Sequence, residues 1–180
     1  GAESVPFHPA YYHDDHPRRV YERVLLHIGE ILAVMEEENL KIRLSPETTG
    51  SLSQFGTLEE LVQLGEDLPG VYPCLDFAHL YARSLGKFNR YEDFAGALRL
   101  IAKKLGGQAL QKMHIHLSGI EYGPRGERRH LPLEETQLNY KGVLQALVDF
   151  KVGGWLTCES PILEEDALVF KEIYQQLSTE

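Results

Sequence analysis

Five residues that can bind a metal, His8, Glu47, Asp76, His116 and Glu159, each follow a short apolar run. The runs are Val5 to Phe7, Ile42 to Leu44, Tyr72 to Leu75, Met113 to Ile115 and Trp155 to Cys158. Glu47, Asp76, His116 and Glu159 together offer carboxylates and an imidazole, a mixed oxygen and nitrogen donor set suited to Zn²⁺, Mn²⁺, Mg²⁺ or a similar divalent ion. One such residue alone would simply face water at the end of a strand. Five in register favour a shared metal site.

Three further groups stand near this set. Asp76 and His79 form an Asp-x-x-His pair just past a strand, close enough in sequence to serve one site or two adjacent ones. His130 closes the loop Ser118 to Arg129, whose Arg125, Arg128 and Arg129 form a basic patch able to meet phosphate. His114 is expected to point away from His116 and is left out of the site. His13, His16 and His27 fall in a loop and a helix and receive no role.

The elements that would position these residues alternate between strand and helix. Successive strand-end residues are 39, 29, 40 and 43 positions apart, close to one strand, one helix and two loops. That makes five βα units, whose strand ends converge on one face in a parallel fold. A (β/α)₈ TIM barrel places every strand end around one cavity but needs about 250 residues. This α/β chain is therefore expected to be a fragment supplying strands four to eight, a single domain over residues 1–180 that forms the C-terminal portion of a barrel. The opening Gly1-Ala2-Glu3-Ser4 reads as a cut through a longer protein.

The helices show their own signals. Pro17 is placed to start one, with Val20, Val24, Ile28, Ile31 and Met35 at helical spacing and Asn39 as terminator. Thr57 with Glu60 forms a capping box for a helix that stops near Pro69-Gly70. Asn89 with Glu92 offers a similar start, and Phe94, Leu98, Ile101 and Leu105 form its stripe before Gly106-Gly107. Val143, Leu144, Leu147 and Phe150 lead to Gly153-Gly154. Leu163, Ala167, Phe170, Ile173 and Leu177 anchor a last helix.

Composition excludes several classes. With 43% apolar and 25% charged residues among 180, the chain is an ordinary globular one. No apolar run approaches the roughly 20 residues needed to span a bilayer, and no leader is visible, so a cytoplasmic location without membrane contact is expected. Cys74 and Cys158 read as buried packing thiols. A net charge of −9 argues against general coating of nucleic acid, since phosphate neutralisation drives such binding. It leaves room for a site where bound cations supply the positive charge.

The segments Phe7-His8-Pro9, Ser45-Pro46-Glu47-Thr48-Thr49-Gly50, Asp76-Phe77-Ala78-His79, His114-Ile115-His116-Leu117-Ser118-Gly119, Arg129-His130 and Cys158-Glu159-Ser160 occur in order. In this the chain resembles the endonuclease IV family over nearly its whole length. The resemblance implies a TIM barrel with two or three zinc ions, cleaving DNA on the 5′ side of abasic sites in base excision repair. It also implies roles. Glu47 matches a glutamate bridging two metals, with His8 on one of them. Asp76, His116 and Glu159 bind the other, His79 and His130 hold a third, and Glu47 and Glu159 are the expected catalytic carboxylates.

Two departures from the family accompany the match. The family's third site takes an aspartate two positions before the histidine matching His130, where this chain has Arg128. Glu127 serves in its place only if the loop shifts by a residue. The family also draws a histidine from the third strand, which this chain is expected to lack.

Two other functions fit the same residues. A sugar isomerase or epimerase of the xylose-isomerase-like class resembles this chain in using one divalent metal held by a set such as Glu47, Asp76, His116 and Glu159. An inactive metal-binding fragment is the remaining reading. Its exposed strand edges would bind a missing barrel segment or another copy.

Overall fold

The computed structural model describes residues 2–179. β1 (Ser4–Phe7) and the short β2 (Ala10–Tyr11) lead to α1 (Pro17–Glu37), and β3 (Arg43–Pro46) and β4 (Gln54–Phe55) to α2 (Leu58–Asp67). β5 (Cys74–Asp76) runs directly into α3 (Phe77–Arg83), which is followed by α4 (Tyr91–Leu105). β6 (Met113–Leu117) precedes a hairpin of β7 (Gly119–Gly123) and β8 (Gly126–Leu131). Then come α5 (Tyr140–Asp149), β9 (Gly154–Cys158) and α6 (Glu164–Leu177).

All five apolar runs become parallel strands, in chain order. β1 pairs with β3, while β5, β6 and β9 form a second parallel set. A parallel bridge between Glu47 and Cys74, with Thr48 N donating to Cys74 O at 3.0 Å, joins the two sets. β1 and β9 are the outer strands and, among the described residues, do not pair with each other, so no closed barrel forms. The five expected βα units are present.

Most helix signals act as expected. Pro17 opens α1, where its missing N–H costs nothing, and Asn39 follows the end with φ +55°. Thr57 and Glu60 make the reciprocal capping box of α2, worth about 1 kcal/mol. Three positions differ. Ile31 is exposed, off the buried stripe of α1. α4 starts one residue later than Asn89 implies, because Asp93 caps the backbone of Asn89 and Arg90 while the Asn89 amide crosses to Gln137 O. Leu163 is exposed at the mouth of α6 rather than anchoring it.

The apolar stripes fill two cores. One, with Val20, Val24, Ile28, Leu61 and Leu64, lies between α1 and α2. The larger, with Phe77, Phe94, Leu98, Leu144 and Phe170, packs α3 to α6 against β5 and β6. These cores hold the strands so that their carboxyl ends share one rim. No helix among the described residues is long and apolar enough to cross a membrane.

Candidate metal centre

His8 follows β1, Glu47 follows β3, Asp76 ends β5, His116 lies near the end of β6 and Glu159 follows β9. Parallel neighbours in register bring these ends side by side, with Asp76 directly opposite His116. Glu47, Asp76, His116 and Glu159 present donor atoms within 4.8 Å of one another. The Oε1 of Glu47 lies 3.1 Å from His116 Nδ1 and 3.6 Å from His8 Nε2, while His116 Nδ1 lies 3.3 Å from Glu159 Oε1.

The Asp-x-x-His spacing has a local cause. Asp76 is the N-cap of α3 and accepts from His79 N at 2.8 Å, which sets His79 in the first turn facing the rim. His79 Nδ1 lies 2.8 Å from the carbonyl of Thr48. A carbonyl only accepts, so Nδ1 carries a proton, and in the neutral ring Nε2 keeps its lone pair. That Nε2 lies 3.3 Å from Glu127 Oε2, and His130 Nε2 lies 3.6 Å from Glu127 Oε1. His130 is turned by a 2.7 Å hydrogen bond between its Nδ1 and Ser118 Oγ. His79, Glu127 and His130 form a second group of potential ligands, and His8, Glu47 and His79 a third.

Without a cation the centre is electrostatically tense. Burial opposes ionisation of Glu47, but the His116, His79 and His8 rings outweigh it and hold its carboxyl well below the usual range. Burial disfavours charging His79, yet Asp76, Glu127 and Glu47 hold its imidazole well above the usual value. His116 is raised in the same way, against its burial, by Glu47 and Glu159. Glu159 is pushed up by burial and, against the pull of His116, by Asp76 and Glu47. Burial first, and then Glu47, Asp76 and Glu159, push up the thiol of Cys74, leaving it neutral beneath the rim.

A divalent cation fits these residues. Glu47 Oε1, Asp76 Oδ2, His79 Nε2 and His116 Nδ1 are buried with no hydrogen-bond partner, an arrangement that is costly unless something binds them. Glu47, Asp76, Glu127 and Glu159 would carry four negative charges, which two divalent cations balance. The nitrogen and oxygen donors suit zinc or manganese.

Of the metal ligands expected from sequence, His8, Glu47, Asp76, His79, His116, His130 and Glu159 all converge here. The supposed loop Ser118 to Arg129 is instead the β7–β8 hairpin, with antiparallel pairing and a bulge. The side chains of Arg128 and Arg129 stay exposed on the hairpin. Both pair with Glu121, at 3.1 and 2.8 Å, and Arg129 faces away from His130 by the alternation of β8. Arg125 occupies the hairpin turn, its carbonyl accepting from Leu52 N. His114 also corrects the expectation. Two residues from His116 on a strand, it shares its face, with ring centroids 5.0 Å apart, and contacts Ser4 and Thr157 one layer below the rim.

The sequence reading missed the supports. Arg83, one helical turn after His79 on α3, reaches the carbonyls of Thr49, Ser51 and Gln54 and so clamps the loop after Glu47. Buried Asp166 accepts from Ser160 Oγ at 2.5 Å and Leu133 N at 2.9 Å, fixing the turn that follows Glu159. The i, i+4 spacing could have signalled Arg83; nothing local signals Asp166. A groove of about 620 Å³ lies between β9 and α6 and contains none of the candidate ligands.

Residues 1–173 match a family described as xylose isomerase-like TIM barrel. An uncharacterized protein of Methanocaldococcus jannaschii is 46% identical over 175 residues, which is 97% of this chain and 64% of that protein. A protein named "Probable endonuclease 4" of Oceanobacillus iheyensis is 26% identical over 133 residues, 71% of this chain and 42% of that one. A solved D-tagatose 3-epimerase-like protein superposes with TM-score 0.70 at 20% identity, over 97% of this chain and 61% of that one. A xylose isomerase domain protein from Alicyclobacillus acidocaldarius does so with TM-score 0.64, again at 20% identity, over 99% and 65%. The chain spans less than two thirds of the length of each.

Proposed function

The chain belongs to the xylose isomerase-like TIM barrel family, and from that premise we propose that it is a metal-dependent phosphodiesterase cleaving DNA 5′ to abasic sites. One observation carries this reading. Glu47 Oε1 lies within 3.6 Å of both His8 Nε2 and His116 Nδ1, so one carboxylate oxygen stands where two sets of ligands meet. A single-cation centre has no use for His8, His79 and His130 beside a complete tetrad.

Divalent ions bound at close spacing supply Lewis acidity that neutralises a phosphodiester and lowers the pKa of water. The residues have distinct tasks around them. Glu47, held ionised, bridges the two ligand sets. Asp76 and His116 complete the tetrad from neighbouring strands. Glu159, the most exposed member with its carboxyl pushed up, is placed to exchange a proton with water or substrate. Arg125 at the hairpin turn is the proposed contact to the DNA backbone. The partial likeness to a protein named for endonuclease 4 supports the substrate class.

A duplex carrying one abasic analogue, incubated with the zinc-loaded protein, should acquire a single 5′ nick. Glu47→Ala and Glu159→Gln should remove it. An intact duplex with the loaded wild type would refute the assignment.

A second reading has its own support. The Glu47, Asp76, His116 and Glu159 tetrad alone is the ligand set of a one-metal sugar isomerase or epimerase, and solved relatives in fold carry epimerase names. Turnover of a ketose to its C3 epimer with one Mn²⁺ per chain would favour it.

A further inference from the structure

We infer that Glu127 is the carboxylate ligand of a second cation site with His79 and His130, aimed there by a one-residue bulge in the β7–β8 hairpin. The inference rests on the multi-cation reading but not on DNA as substrate.

Strand alternation alone would send Glu127 the wrong way. Residues three apart on a regular strand lie on opposite faces, so His130 and Glu127 would be separated. The hairpin register breaks here: Glu121 pairs with Arg129, and the next pair is Tyr122 with Glu127. Arg128 is the extra residue, as in a β-bulge. Beyond it the faces exchange, and Glu127 returns to the side of His130. Arg128 and Arg129 are both held on Glu121, which keeps the guanidinium groups off the ligand cluster.

The histidines are oriented for the same point. Thr48 O fixes Nδ1 of His79 and Ser118 Oγ contacts Nδ1 of His130, so each presents Nε2 to one oxygen of Glu127. His79 Nε2 is buried and unpartnered. A lone pair facing a carboxylate requires a proton or a cation between them. Two imidazoles and one carboxylate form a donor set for zinc.

The space for Glu127 is built in the backbone. A Cβ on Gly50 would lie 2.5 Å from Glu127 Oε2 and 2.6 Å from Glu127 Cβ. Gly126 has φ +92°, and its own Cβ would strike the carbonyl of Gly50. Glu127 N donates to Gly50 O at 3.0 Å, and Ser51 bridges to Gly126. The loop clamped by Arg83 thereby holds the bulge and leaves room for the carboxylate it directs.

The test counts cations on the full chain, stripped with chelator and loaded with Zn²⁺ by equilibrium dialysis, with Co²⁺ absorption reporting each environment. Glu127→Gln should bind one cation fewer per chain than wild type and retain the tetrad cation. Gly50→Ala, with every ligand intact, should weaken the same site by about 10- to 100-fold, and it carries the test if the glutamine variant does not fold. Glu159→Gln should weaken the tetrad cation and spare this one, and Arg128→Met should change neither. Wild-type stoichiometry and affinity in both Glu127→Gln and Gly50→Ala would overturn the inference. Loss of the cation in Glu127→Gln, with no cleavage of abasic duplex by wild type, would uphold it and refute the nuclease proposal.

Discussion

Thr48 and Asp76 are tied through a single hydroxyl: Asp76 N donates to Thr48 Oγ1 at 2.8 Å, and that hydroxyl donates to Asp76 O at 3.2 Å. Both residues are fully buried. This clasp joins the ends of β3 and β5, and it sets the spacing between Glu47 and Asp76, which no regular ladder does.

Thr48→Val keeps the shape and removes the clasp. It leaves the Asp76 N–H without its partner, at a cost of about 1–3 kcal/mol. Chemical denaturation should show that loss. Cation affinity at the tetrad should fall with it, whereas Thr57→Ala, at the distant cap of α2, should cost about 1 kcal/mol and leave affinity unchanged.

Asp166→Ala should act on Glu159 without touching it. The substitution strands the Ser160 hydroxyl and the Leu133 N–H, both buried, at a cost of roughly 2–3 kcal/mol. The turn after β9 should then show faster amide exchange. Unchanged exchange at residues 158–162 would contradict the role given to Asp166.

Arg83→Lys should not substitute for the guanidinium. All three carbonyls are approached by one atom, Nη1, and lysine carries its ammonium on a shorter, flexible stem that does not bring it to the same point. Faster amide exchange is expected across residues 49–54, with weaker cation binding wherever Gly50 positions Glu127.

Removing the cation should lower Tm, because the four orphaned atoms of Glu47, Asp76, His79 and His116 lose their partner. The pH dependence should also change sign. In chelated protein His79 and His116 are raised above 6.5, so their stabilisation is complete below that value and is lost as pH rises through the folded values. Glu47 is lowered from 4.5, so its contribution is present above that value and is lost as pH falls through the folded value. Chelated protein should therefore be most stable between about 4.5 and 6.5. Loaded protein should gain stability above that window, because the imidazoles must be neutral to bind metal. Melting curves with and without chelator from pH 4 to 9 measure both.

The legibility of the site divides along the range of the forces involved. His8, Glu47, Asp76, His116 and Glu159 were readable because each follows an apolar run, and parallel strands of similar length bring such positions to one rim. Asp76 and His79 were readable as a pair because a helix N-cap lies three residues from the backbone N–H it satisfies. The exposure of Ile31 and Leu163 was not readable, since spacing alone does not say which side of a helix finds a partner.

His114 was within reach, because a period of two along β6 already places it on the face of His116. Glu127 was not. From sequence Arg128 stands where a carboxylate is expected, and regular alternation turns Glu127 outward. The bulge that reverses this depends on contacts with Gly50 and Ser51, more than 70 residues earlier in the chain.

By itself, then, the sequence determined the five parallel strands, most of the helices and the candidate ligands that strand ends present, because these follow from local periodicity and capping. Tertiary structure decided which lone pairs meet. Thr48 and Ser118 turn His79 and His130 through hydrogen bonds, Arg83 and Asp166 hold the loops after Glu47 and Glu159, and a one-residue change in register selects Glu127 over Arg128. Such contacts depend on packing between elements, which local sequence does not encode.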